Sequence, residues 1–282
     1  MRQAATAEAT IWRGMTRAEL DAGYDNTSAV RESAAHLAAW TQRSAALRAR
    51  NPEHLDLPYG RRERNRIDVF RCGIEHAPIF VFIHGGYWQR NSKEIFSCMA
   101  EGPLAHGFDV ALPGYTLAPA ASLTKIVGEI RAAISWLRQQ GPRIGIATDK
   151  MIVSGWSAGG HLAATAMAWP EIDGGLSISG IFDLEPIRLG ALNDKLRLTP
   201  EEAAALSPIA HMPAKAGPLI VAYGGGELPE LQRQSETYGI DWRQAGLDGT
   251  TLRLPGHNHF SILEELATPE GRLATTLAAE FL

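Results

Sequence analysis

Cysteine is scarce in this chain of 282 residues, which holds only Cys72 and Cys98. Two thiols cannot build a disulfide framework, and neither lies in a CxxC or a His/Cys metal spacing. Free thiols in a reducing cytoplasm are the expectation. Charge of one sign is lacking too: 27 Lys and Arg against 31 Asp and Glu leave a net charge of −4. With no basic field to hold a phosphate backbone, nucleic-acid binding is not expected. Long apolar runs are also missing. No stretch approaches the ~20 residues that span a bilayer, and the opening MRQAATAEATIWRGM has no apolar core of a signal peptide. A soluble cytoplasmic protein without a membrane partner is therefore expected. No repeat, low-complexity tract or linker divides the sequence.

What is abundant is core-forming material. Hydrophobic residues make up 45% of the chain and charged ones 21%, and a chain of this length buries roughly 75% of its extended surface. Residues 1–57 are Ala/Arg-rich and helix-prone, with Leu37, Trp40, Ala45 and Leu47 near helical spacing. They are expected to form an N-terminal helical extension packed on residues 58–282, a single domain overall. Further on, short β-rich runs alternate with helical patterns. Strands are expected at 67–71, 78–83, 108–112, 151–154, 175–179, 219–223 and 251–254. Alternation of this kind predicts an α/β fold with a mostly parallel sheet covered on both faces. Ser122 can cap a helix that Gly141 and Pro142 stop; another helix should follow Ser157, and another lies near 229–244. The stretch 181–217 holds four prolines and no clean strand. Its place predicts an insertion, a candidate lid, over the edge where open α/β sheets bind ligands.

The chemistry is concentrated in three places. Residues 151–160, MIVSGWSAGG, set a GxSxG between an apolar β run and a helix-forming stretch. In that context the serine, Ser157, sits on a strained turn, and the backbone N–H of Ala158 faces a developing oxyanion. A glycine-rich helix start is the alternative. A buried-strand run, IFVFI, ends in His84-Gly85-Gly86-Tyr87-Trp88, where backbone amides can approach a ligand and supply further oxyanion donors. After the last expected strand, His257 and His259 share one loop, and one imidazole must accept the proton of Ser157. The acid that orients it should follow the strand at 219–223. Glu227 stands closest to that strand, whereas Glu230 falls in the first turn of the next helix, where a carboxylate is favoured by the dipole alone. Tyr87, Trp88 and Trp156 are candidates for an apolar wall against an aryl group.

HGGYWQ, YTLAP (115–119), GWSAGGHLA, SGIFDLEP (179–186), RQS (233–235) and the HNHF end together resemble the arylformamidase, or kynurenine formamidase-like, group of α/β-hydrolases. That group is related to carboxylesterases of the hormone-sensitive-lipase type. The resemblance covers roughly residues 60–266, and Tyr24-Asp25-Asn26 is similar, more weakly, to the group's lead-in. It implies an α/β-hydrolase fold, Ser157 as nucleophile, His259 as catalytic base, and Gly85, Gly86, Tyr87 and Ala158 around the oxyanion. Relatives commonly carry aspartate where the spacing to RQS places Glu227, so the acid carried over is one methylene longer. The implied reaction is acyl transfer on an N-formyl arylamine, N-formylkynurenine being the nearest model. The substrate is then a small aryl amide or ester, and no cofactor is expected. Tyr87 stands where an HGGG loop has its third glycine, which points to a tight acyl pocket.

Rival readings keep their place beside this one. A short-acyl carboxylesterase shares fold and triad, and an inactive α/β-hydrolase can serve as a binding module. The HxH pair at 257–259 can chelate a metal, but no other histidine spacing completes a site, so none is expected. A homodimer is compatible with the sequence.

Overall fold

The computed structural model describes residues 9–282; the part of the expected N-terminal extension before residue 9 lies outside them. Eight strands form one sheet in the order β1-β2-β4-β3-β5-β6-β7-β8. They are β1 (Leu57–Pro58), β2 (Arg66–Phe70), β3 (Ile79–Ile83), β4 (Asp109–Pro113), β5 (Met151–Trp156), β6 (Gly174–Ile178), β7 (Leu219–Gly224) and β8 (Gly249–Leu254). From β4 to β8 every pairing is parallel, while β1 and β2 run antiparallel at one edge. This is the α/β-hydrolase fold. Each expected strand forms. The two-residue β1 was not foreseen, being too short to carry an alternation pattern.

The central strands are buried on both sides, which explains why they read as continuous apolar runs. In β3, Ile79, Val81 and Ile83 enter one core layer with Val153 and Val221. Phe80 and Phe82 enter the other with Ile152 and Ile220, the period-2 alternation of a pleated strand.

Helices cover both layers. On the N-terminal side are α1 (Arg17–Gly23), α2 (Asn26–Ala29) and α3 (Ser33–Arg50), followed by α4 (Glu101–Ala105) and α5 (Leu123–Gln140). Ser122 caps α5, its side chain accepting from the Lys125 amide. Then come α6 (Ala158–Ala166), the short α7 (Glu185–Leu189), α8 (Asn193–Leu196) and α9 (Pro200–Leu206), and finally α10 (Pro229–Gln244), α11 (Glu264–Ala267) and α12 (Arg272–Phe281). Among the described residues no helix is long and apolar enough to cross a membrane.

Two arrangements position the site. Parallel pairing aligns the strand ends, so that Ile83 faces Gly155, Trp156 faces Ile178 and Gly224 faces Leu254. The loops after β3, β5, β6, β7 and β8 therefore emerge along one edge. Helix α3 then lays Trp40 and Leu47 into the layer that holds Phe96, Trp156 and Phe260, and the Trp40 indole donates to Glu264 Oε1 at 2.6 Å.

Candidate active site

Ser157 occupies the turn between β5 and α6 with φ 59° and ψ −117°, a left-handed conformation that costs a non-glycine residue free energy and is kept where function needs it. Close packing enforces the turn. A Cβ on Gly159 would stand 1.9 Å from the Ile83 carbonyl oxygen, so only glycine lets α6 start so close to β3. Across from it, a Cβ on Gly85 would stand 2.6 Å from the Trp156 carbonyl oxygen. The chain then runs through Gly86, Tyr87 and Trp88 at φ of 117°, 51° and 57°. Among the described residues, no hydrogen bond takes up the backbone N–H of Gly86, Tyr87 or Ala158.

The loop after β8 brings His259 to the same edge. Its Nδ1 lies 2.8 Å from Glu227 Oε2, and both side chains are almost fully buried. The other carboxylate oxygen of Glu227 accepts from Ser179 Oγ at 2.7 Å and from the Gly224 amide at 2.5 Å. Three donors thus fix this carboxylate, and the imidazole proton at Nδ1 is held by it, leaving Nε2 as the acceptor. Trp156 braces the arrangement from behind: its indole donates to the His259 carbonyl at 2.7 Å, and its ring centroid is 4.9 Å from the imidazole. Ser157 and His259 line one chamber of about 70 Å³.

The neighbouring candidates are engaged elsewhere. Glu230 accepts from Trp12, Tyr24 and Arg233 at 3.2, 3.2 and 2.8 Å. Burial alone would raise its carboxyl, but hydrogen bonding and charge from Arg233 hold it below the usual range. His257 pairs with Glu265 at 3.0 Å and with the Ser261 carbonyl at 3.1 Å. The two histidines of the HxH therefore face different carboxylates, and among the described residues no group of three or more His, Cys, Asp or Glu could hold a metal ion. His84 is buried and pushed down to about 4, which keeps it neutral; its Nδ1 meets the Gly85 carbonyl at 2.9 Å and its ring stacks on Tyr115. His161, also pushed by burial to about 4, reaches the Leu206 carbonyl at 2.8 Å and ties the 181–217 stretch to α6.

Of the three aromatic candidates, Tyr87 and Trp156 line the chamber. Trp88 does not. It is fully buried, edge-on to His161 with centroids 5.0 Å apart, and lines neither the chamber nor its neighbour. Adjacency to a motif misplaces it: its side chain belongs to the core layer that α5 and α6 cover. Tyr87 also borders a larger cavity of about 360 Å³, together with Tyr24, Arg90, Pro186 and Leu192. Sequence reasoning missed Ser179, whose left-handed backbone (φ 51°) carries its hydroxyl to Glu227. It also missed Asn26, Thr27 and Leu37, which wall the chamber from the N-terminal helices. The Tyr24-Asp25-Asn26 likeness was the one signal pointing there.

Known proteins frame this geometry. A family model, BD-FAE, matches residues 71–174. The kynurenine formamidase of Danio rerio is 30% identical, with 96% of this chain and 98% of that protein covered. That of Salmo salar is also 30% identical, covering 94% and 97%. A solved structure of a candidate thioesterase from Silicibacter sp. tm1040 superposes with a TM-score of 0.82 at 28% identity, over 91% of this chain and 98% of that one. An esterase from the archaeon Pyrobaculum calidifontis shares the fold, with a TM-score of 0.71 at 22% identity over 94% and 96% of the two chains.

Proposed function

The chain belongs to the kynurenine formamidase family of α/β-hydrolases and is an amide or ester hydrolase of the serine type; we propose that it is an arylformamidase, cleaving N-formyl arylamines such as N-formylkynurenine. The observation that carries this reading is the pairing of a small chamber at Ser157 and His259, about 70 Å³, with a larger cavity of about 360 Å³ across Tyr87. A formyl group puts only hydrogen on the carbonyl carbon and suits the small space, while the larger one suits the leaving group.

In this mechanism His259 Nε2 takes the Ser157 proton as Oγ attacks the formyl carbon, and Glu227 stabilises the imidazolium. The amides of Gly86, Tyr87 and Ala158 receive the oxyanion. Imidazolium then gives its proton to the aryl nitrogen, the C–N bond breaks, and a formyl-serine ester remains. Water, deprotonated by the same histidine, attacks that ester and releases formate. The free thiols Cys72 and Cys98 support a reducing, cytoplasmic setting.

The test is formate release from N-formylkynurenine, followed while an aryl phosphonate modifies the enzyme. Activity should fall in step with a single adduct mapped by mass to Ser157. Full turnover after complete modification of Ser157 would overturn the serine mechanism, and ester hydrolysis without formamide hydrolysis would leave a short-acyl carboxylesterase.

A further inference from the structure

Asn26 lines the chamber that holds Ser157 and His259, yet it comes from α2, far from any catalytic motif. Only 3% of it is exposed. Its amide orientation follows from counting protons. The Tyr87 hydroxyl donates its one proton to the Tyr24 carbonyl at 2.6 Å, so toward Asn26, at 2.8 Å, it can only accept. The group facing Tyr87 must then be the NH₂ of Asn26, which leaves Oδ1 as the other arm. That oxygen is buried and has no hydrogen-bond partner among the described residues. A buried acceptor without a donor is costly and rarely kept without a use.

We propose that Asn26 Oδ1 accepts the N–H of the scissile amide and so selects amides over esters. This rests on the arylformamidase reading. The chemistry asks for such an acceptor. In the tetrahedral intermediate the leaving nitrogen becomes pyramidal, and its lone pair must face the imidazolium of His259 to be protonated. Its single N–H then points elsewhere, and an acceptor that holds this N–H holds the lone pair on His259. No proton passes to Asn26; the one that moves goes from His259 Nε2 to nitrogen as the C–N bond breaks. An ester has no hydrogen on its leaving oxygen, gains nothing from Oδ1, and meets it lone pair to lone pair. Asn26 is thus a specificity-determining residue.

The experiment compares formanilide, N-methylformanilide and phenyl formate in the wild type and in Asn26→Leu and Asn26→Ala. The expected result is a fall of about 10-fold or more in the kcat/KM ratio of formanilide to phenyl formate in Leu and Ala, the effect of stranding one buried hydrogen-bonding group. The ratio of N-methylformanilide, which has no N–H, to phenyl formate should stay level. If the Leu variant does not fold, the Ala variant carries the same comparison. Equal losses on all three substrates would overturn the proposal and reduce Asn26 to a brace for Tyr87. A wild type that hydrolyses phenyl formate but not formanilide would instead sink the arylformamidase reading itself.

Discussion

The loops after β5, β7 and β8 and the N-terminal helices α1 to α3 meet at one chamber, but they are held there differently. Ser157, Glu227 and His259 each sit in a loop after a strand, fixed at points where the backbone itself takes part: the positive-φ turn at Ser157, the Gly224 amide on Glu227, and the His259 carbonyl under the Trp156 indole. Asn26 and Leu37 sit on helices joined to the domain by side chains, through Trp12 and Tyr24 on Glu230, Gln234 on Tyr24 and Trp40 on Glu264. In the mechanism we propose, the first region supplies reactivity on a rigid frame and the second shapes what reaches it. Changes in the first should therefore lower kcat, and changes in the second should alter selectivity or stability.

The largest effect is expected at Ser157. Ser157→Ala should fold and lose about 10³-fold or more in kcat, with His259→Ala comparably damaged because the two act as one unit. Single-turnover kinetics on folded variants checks this, and wild-type-like turnover in either would move the chemistry elsewhere. Next is Glu227→Gln, which keeps the geometry but weakens the imidazolium. A loss of about 10²- to 10⁴-fold in kcat with little change in KM is expected.

The neighbouring carboxylate sharpens the contrast. Glu230→Gln should leave kcat within a few-fold while costing about 1–3 kcal/mol of stability, read from urea midpoints, because Trp12, Tyr24 and Arg233 lose a charged acceptor. The folded Glu230 carboxyl titrates below its unfolded value, so its contribution is complete above the usual glutamate range and is lost as pH falls through the folded value. The variant should then show a shallower acid-side loss of stability than the wild type. If kcat falls further in Glu230→Gln than in Glu227→Gln, the two regions have exchanged roles. His257→Ala should have the smallest effect, a few-fold at most in kcat, since its ring faces Glu265 and the Ser261 carbonyl.

The same contrast explains what could be read from the sequence. The strand-end region was legible because it is local: apolar runs followed by glycines mark β3 and β5, and GxSxG dictates the turn at Ser157. The nearness of Glu227 to β7 was legible too, and the structure sets its carboxylate 2.8 Å from His259 Nδ1. The N-terminal region was not, since nothing in residues 26–37 says which distant loop they will cover. Ser179 was hidden for the same reason, its role depending on β6 lying beside β7. Trp88 shows the limit of adjacency. It follows Tyr87 directly, yet Tyr87 lines the chamber while Trp88 is fully buried in the core. The strand at β2 was legible but its antiparallel direction was not, because a strand's direction in a sheet is a property of its pairing and not of its own residues.

The most direct test of an arylformamidase with a tight acyl chamber is kcat/KM along an acyl series, formyl through acetyl and butyryl to octanoyl, on one fixed arylamine. With each methylene worth about 1–3 kcal/mol of discrimination, formyl should stand highest, and the value should drop by several hundred-fold, in order of magnitude, before butyryl is passed. A steady rise from acetyl to octanoyl would contradict the account.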